Sequence, residues 1–156
     1  MSPIAETIFR NADHDLDLEV SSRGLVVLFP EPVNPKAETV LATHGLIMNN
    51  HTARQFKAEE VDEQTLILTM STVQKRRLAI DFFINDNVYT LPEFAGIHGD
   101  VDDPYGKNTE AYEECYTKLY DLMQNVIYRL LYGRLPDIEK SEEEPHNNII
   151  SGGEKT

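Results

Sequence analysis

Tryptophan is absent from this chain of 156 residues and cysteine occurs once, as Cys115. One cysteine allows no internal disulfide and no cysteine-only metal site, and this usage fits a reducing compartment. Basic residues are also scarce. Fourteen Lys and Arg face 27 Asp and Glu, a formal net charge of −13, so neither nucleic acid nor an anionic membrane surface is expected as a partner, since both need a basic face. No apolar run approaches the ~20 residues of a membrane span, and the N-terminus lacks the basic-then-apolar layout of a signal peptide. A cytoplasmic protein is the expectation. His14, His44, His98 and His146 show no metal-ligand spacing, so no metal and no cofactor is predicted. No internal repeat is visible.

What is present suffices for one domain. Apolar residues make up 40 % of the chain, enough for a single core. The division predicted is an α/β domain over residues 1–135 and an acidic, disordered tail over 136–156, where six acids meet two bases. The opening stretch reads as a helix: Ser2 suits an N-cap, Pro3 the first helical position, and Ile4, Ala5, Ile8 and Phe9 form one apolar stripe. Its first turn, with free N–H groups, is an anion site by geometry.

Further along, Leu16–Val20 alternates apolar and acidic residues as a strand does, and Ser21-Ser22-Arg23-Gly24 ends it. Leu25–Phe29 reads as an ordered loop or a short strand, because Pro30, Pro32 and Pro35 follow at once. Asn34 and Pro35 start a helix whose inner stripe is Ala37, Val40 and Leu41 and which Gly45 ends. Thr65–Met70 has the continuous apolar character of a parallel strand covered on both faces. Ser71 or Thr72 opens the next helix, with Lys75-Arg76-Arg77 toward solvent and Leu78, Ile80 and Phe82 offering apolar surface; a solvated face, rather than a phosphoprotein-docking patch, is the reading of that basic run. Asn87–Leu91 is a last short strand. From Thr109, apolar residues recur every three or four positions to Leu130, a long helix closed by Gly133 and Pro136. Strands alternating with helices predict an α/β doubly wound parallel sheet, with ligands beyond the carboxyl ends of its strands.

The string Ser2-Pro3-Ile4-Ala5-Glu6, taken with Asp103-Pro104-Tyr105-Gly106 far downstream, resembles the low-molecular-weight protein-tyrosine-phosphatase family, including its protein-arginine-phosphatase branch. The resemblance extends from Ser2 to about Leu131. In that family Cys-x-x-x-x-x-Arg precedes Ser-Pro-x-Ala-Glu and forms the phosphate loop. Here the Arg position is Met1, and the first, central strand with the Cys position is predicted to be missing from the chain as written. The resemblance implies hydrolysis of phosphate monoesters on phosphoproteins through a phosphocysteine, with phosphotyrosine or phosphoarginine as substrate group. Asp103 matches the general acid, which protonates the leaving oxygen and then activates water. Ser2 matches the loop hydroxyl that stabilises the leaving thiolate, Tyr105 the aromatic wall beside the substrate, and Ser22 and His51 the pair that braces the loop from behind.

Alternatives remain for each residue. Asp103 before Pro104 is also an ordinary turn residue, with Asp102 a chemical rival; Tyr105 can serve in core packing, Ser2 as a plain cap and His51 as a structural group. Cys115 is no substitute nucleophile, because Asp121 stands where the motif requires Arg and the thiol falls on the apolar stripe of the last helix. Two functions follow: a phosphatase whose nucleophile lies outside this sequence, or a non-catalytic phosphatase-like domain that binds a partner. A receiver or flavodoxin-like module is a third, disfavoured by the placement of Asp103-Pro104. A missing central strand would also expose Leu16–Val20 and Thr65–Met70 to self-association.

Overall fold

The computed structural model describes residues 1–27, 32–48 and 51–137. The predicted acidic tail therefore lies, beyond Asp137, outside the described residues, as do Leu28 and Phe29 of the Leu25–Phe29 segment. In chain order the elements are α1 (Ser2–Asn11), α2 (Pro35–Thr43), a short 3-10 turn (Ala58–Glu60), β1 (Ile67–Thr69), α3 (Thr72–Asp81), β2 (Val88–Thr90), α4 (Leu91–Phe94) and α5 (Thr109–Tyr132).

β1 and β2 run parallel, pairing Ile67 with Val88, Leu68 with Tyr89 and Thr69 with Thr90. The period of two along each strand divides these pairs between two apolar clusters. Ile67 and Val88 join Phe56, Leu78 and Phe82 on the α3 side, whereas Leu68 and Tyr89 pack against the cluster built by α1, α2 and α5. Helices cover both faces, as expected of a doubly wound sheet. Helix α5 is the centre of the larger cluster: Leu119 is fully buried, and Leu122 and Val126 are each 1 % exposed. Each such side chain contributes about 1.5–3 kcal/mol by leaving water.

Capping residues behave as their chemistry dictates at most helix ends. The Asn34 side chain accepts from Lys36 N–H at 2.9 Å, and Ser71 Oγ accepts from Gln74 N–H at 3.3 Å. Gly133, at φ 72°, closes α5 with its N–H on the Arg129 carbonyl at 2.8 Å. At α1 the expectation needs correcting. Met1 holds the cap position, Ser2 is already helical, and no side chain caps the helix.

Other elements also differ from the sequence reading. Leu16–Val20 forms no strand. Leu16 and Val20 pack on the core while Leu18 is 52 % exposed, so the single apolar face expected of the alternation is not formed either; a strand exists only through a ladder with a neighbour, and none is formed there. The Val20 carbonyl instead accepts from the Arg10 guanidinium. Leu25–Val27 is irregular, the loop alternative, although Gly24 forms an isolated parallel bridge with Gln55. Ile80 faces solvent at 64 % exposure, unlike its neighbour Leu78 at 1 %. Leu91 belongs to α4 rather than to β2, because Thr90 Oγ1 accepts from Glu93 N–H at 3.1 Å while the Glu93 carboxylate accepts from Thr90 N–H at 3.3 Å, a reciprocal cap that turns the chain into a helix.

Candidate active site

Two polar groups gather around the first turns of α1. The first lies behind the helix. Ser22 Oγ is 3.3 Å from His51 Nε2 and 3.3 Å from Glu6 Oε1, and His51 Nδ1 is 3.8 Å from Glu6 Oε2. The Glu6 and His51 side chains are only 13 % and 14 % exposed. Little water reaches this cluster, so its members satisfy one another, as nearly buried polar groups must. Ser22 and His51 are paired as the sequence predicts, and Glu6, in the sequence only a member of the Ser-Pro-x-Ala-Glu motif, joins them. Its signal was available: Glu6 lies one helical turn after Ser2 and one before Arg10, whose Nε is 3.4 Å from Glu6 Oε2.

The second group lies at the start of α1. Asp103 exerts its charge on Met1, on Tyr112 and on Cys115, and Tyr105 acts on Tyr112 as well. Asp103 is therefore within electrostatic reach of both the N-terminal end of α1 and the first turns of α5. Its Oδ1 accepts from Tyr105 N–H at 3.1 Å, a local turn that fixes the carboxylate while leaving it exposed. Asp102 accepts no such bond and ranks below Asp103 in its influence on Cys115. Pro104, next in the chain, is buried. Tyr105 is 77 % exposed, which removes core packing as its role.

The loop that carries Asp103 is tied down on three sides. Val101 N–H donates to the Met70 carbonyl at 2.9 Å, continuing from the end of β1. Lys118 Nζ of α5 reaches the Asp100 carbonyl at 2.7 Å. Thr72, at the start of α3, donates through both its N–H and its hydroxyl to Asp100 Oδ1, at 3.0 and 2.9 Å. An exposed carboxylate on so fixed a loop loses little further freedom when it meets a ligand.

Cys115 is 6 % exposed on the inner stripe of α5. Burial pushes its thiol up from the ordinary range, and the Asp103 charge adds to the effect. Both oppose the thiolate that a nucleophile needs. The neutral thiol's contribution to stability is full below its unfolded value of about 8.5 and is lost as pH rises from there through the higher folded value. Iodoacetamide is thus expected to label Cys115 at pH 8 far more slowly in the folded chain than in urea. Equal rates would show that the thiol is open to solvent.

A second histidine pair, His44 Nε2 with Glu113 Oε1, joins α2 to α5, and the His44 ring stacks on Tyr116 with centroids 3.9 Å apart. No local pattern signals this pair, since the partners are far apart in the chain. Among the described residues no group of three or more His, Cys, Asp and Glu side chains is placed to hold a metal ion, and no helix is long and apolar enough to cross a membrane.

Helices on both faces of a parallel sheet, with polar side chains collected around the first turns of one helix, define an α/β protein of the doubly wound class. The family described as low molecular weight phosphotyrosine protein phosphatase matches residues 1–133, and the chain belongs to that family. It is 30 % identical over 129 residues to the low molecular weight protein-tyrosine-phosphatase PtpB of Staphylococcus epidermidis, covering 82 % of this chain and 89 % of the relative. To the protein-arginine-phosphatase of Bacillus subtilis it is 31 % identical over 133 residues, 83 % of this chain and 88 % of the relative. Among solved structures, the low molecular weight protein tyrosine phosphatase from T. tengcongensis superposes with a TM-score of 0.76 at 31 % identity, covering 82 % of this chain and 90 % of that one. The YwlE arginine phosphatase from Geobacillus stearothermophilus gives 0.77 at 28 % identity, covering 83 % and 84 %.

Proposed function

We propose that this chain carries the proton-transfer and bracing parts of a phosphatase that hydrolyses phosphate monoesters or phosphoarginine on phosphoproteins. The observation that carries this reading is Asp103, an exposed carboxylate oriented by the Tyr105 N–H, whose charge reaches the N-terminal end of α1. In the proposed reaction a thiolate attacks phosphorus, and the carboxylic acid of Asp103 gives its proton to the departing oxygen or nitrogen. The resulting carboxylate takes a proton from the water that cleaves the phosphocysteine. Ser2, on the first turn of α1, offers a hydroxyl to the leaving thiolate. Tyr105, projecting into solvent, supplies a flat apolar surface for an aromatic or guanidinium leaving group. Ser22, His51 and Glu6 brace the ground behind it.

The nucleophile does not come from Cys115. Its burial and its raised thiol value both argue against it, and Asp121 stands where the clamp would need Arg. The 156-residue polypeptide is accordingly expected not to turn over p-nitrophenyl phosphate. Turnover that Cys115→Ser abolishes would overturn the assignment. That same pairing of Cys115 with Asp121 favours a second reading, a non-catalytic phosphatase-like domain that binds phosphoproteins. The two separate on extending the site, as described in the Discussion.

A further inference from the structure

The outer face of α3 is apolar as well as basic. Val73, Arg76, Arg77 and Ile80 are spaced by three and four and so share one side of the helix, opposite Leu78, which is 1 % exposed. Val73 and Ile80 are 63 % and 64 % exposed. The basic run, in sequence a solvated face, therefore carries apolar side chains among its charges, and these belong to neither apolar cluster.

Phe83 continues the stripe past the end of α3. The N–H groups of Phe82 and Ile84 both donate to the Leu78 carbonyl, at 3.2 and 3.0 Å, the wrap by which helices end on a left-handed residue. That residue is Phe83, at φ 57°. Glycine is favoured in such a position, because a Cβ at positive φ crowds the backbone. Phe82 and Ile84 on either side pack inward with Phe56 and Leu78, so Phe83 points away from them and is 86 % exposed. A bulky aromatic thus stands where the fold prefers glycine, and it gains no packing in return. Strain of this kind, on an exposed aromatic, marks a contact made with another molecule.

Charge narrows the choice of partner. Lys75 is held by Glu93, with Nζ to Oε1 at 2.9 Å, and Arg77 shares an exposed pair with Asp81 at 3.4 Å. Arg76 is exposed and makes no ion pair among the described residues. On a chain of formal net charge −13 this is a local basic island, which attracts and orients an acidic ligand. We propose that the outer face of α3, ending in Phe83, docks an acidic amphipathic helix of a partner protein. Apolar side chains of that helix cover Val73, Ile80 and the Phe83 ring, while its carboxylates meet Arg76 and Arg77. Thr72, at the other end of α3, is the residue bonded to Asp100 on the loop of Asp103. Ile80 and Phe83 therefore lie away from the phosphate chemistry, and the test of docking reads no turnover.

The probe is an acetylated, amidated peptide of about 18 residues, long enough to be helical by itself, with leucine at every third or fourth position and glutamate and alanine elsewhere. Titrated into the full chain, it is expected to bind saturably and one-to-one in calorimetry, more weakly as salt is raised. Phe83→Gly is expected to hold or raise Tm, since glycine suits the left-handed position, yet to weaken binding by about tenfold or more. Arg76→Glu is expected to weaken binding as well and to flatten its salt dependence. Scrambling the peptide so that its leucines no longer share a face is expected to abolish binding. Undiminished binding by Phe83→Gly, or equal binding of the scrambled peptide, overturns the proposal. So does a dimer in sedimentation that Phe83→Gly dissolves, which would put a second copy on the stripe. Markedly tighter binding after Glu142→Gln, Glu143→Gln and Glu144→Gln together would put the chain's own acids there and overturn it too.

Discussion

Replacing Asp103 with Asn in a catalytically complete form of the site is expected to lower kcat by ~10²–10⁴, with a smaller effect on KM, as follows from losing a positioned proton donor. The complete form is made by extending the chain at its N-terminus with an apolar strand followed by Cys-x-x-x-x-x, and by Met1→Arg, so that a thiol and a guanidinium fork precede Ser2. Asn keeps the shape of the side chain and its bond from the Tyr105 N–H, so the loss reports proton transfer rather than folding. Asp102→Asn is expected to do much less, because Asp102 lacks that bond and acts more weakly on the residues at the start of α5. Stopped assays on p-nitrophenyl phosphate, with the second substrate class tested on a phosphoarginine peptide, decide it. Comparable losses at the two aspartates would remove Asp103 from its role. An extended protein that binds phosphopeptides without turning them over would support the non-catalytic reading instead.

The second large effect concerns stability. Leu119 is fully buried in the middle of α5, within the cluster that joins this helix to α1 and α2. Leu119→Ala removes buried methyl groups and leaves a cavity that long, packed helices cannot close, at a cost of about 2–5 kcal/mol. Against a total margin of about 5–15 kcal/mol for a domain this is a large fraction. Urea unfolding followed by circular dichroism is expected to show a lower midpoint at unchanged slope. Tyr120→Ala, one position on and 45 % exposed, is expected to cost far less. Similar midpoints for the two variants would mean that α5 does not pack as described.

Periodicity made α5, α2 and the inner face of α1 legible in the sequence, because a helix closes its own hydrogen bonds and needs from its surroundings only an apolar face. Thr109–Tyr132 and Pro35–Thr43 accordingly match the predicted spans, including the Asn34 cap and the glycine stops. Strands were less legible for the opposite reason. The apolar alternation of Leu16–Val20 predicted one covered face, yet Leu18 is exposed, because whether that segment is a strand depends on a neighbour that no local pattern encodes.

The site divides in the same way. By itself the sequence determined the residue types and their family pattern: Ser2, Ser22, His51, Asp103 and Tyr105 were all named from motif and order along the chain. Tertiary structure alone decided their company. It joined Glu6 to both Ser22 and His51, set His44 on Glu113, oriented Asp103 rather than Asp102, and buried Cys115 within reach of the Asp103 charge. Such pairings join residues far apart in the chain, where only packing brings charges within a few ångströms and only burial makes their proximity count.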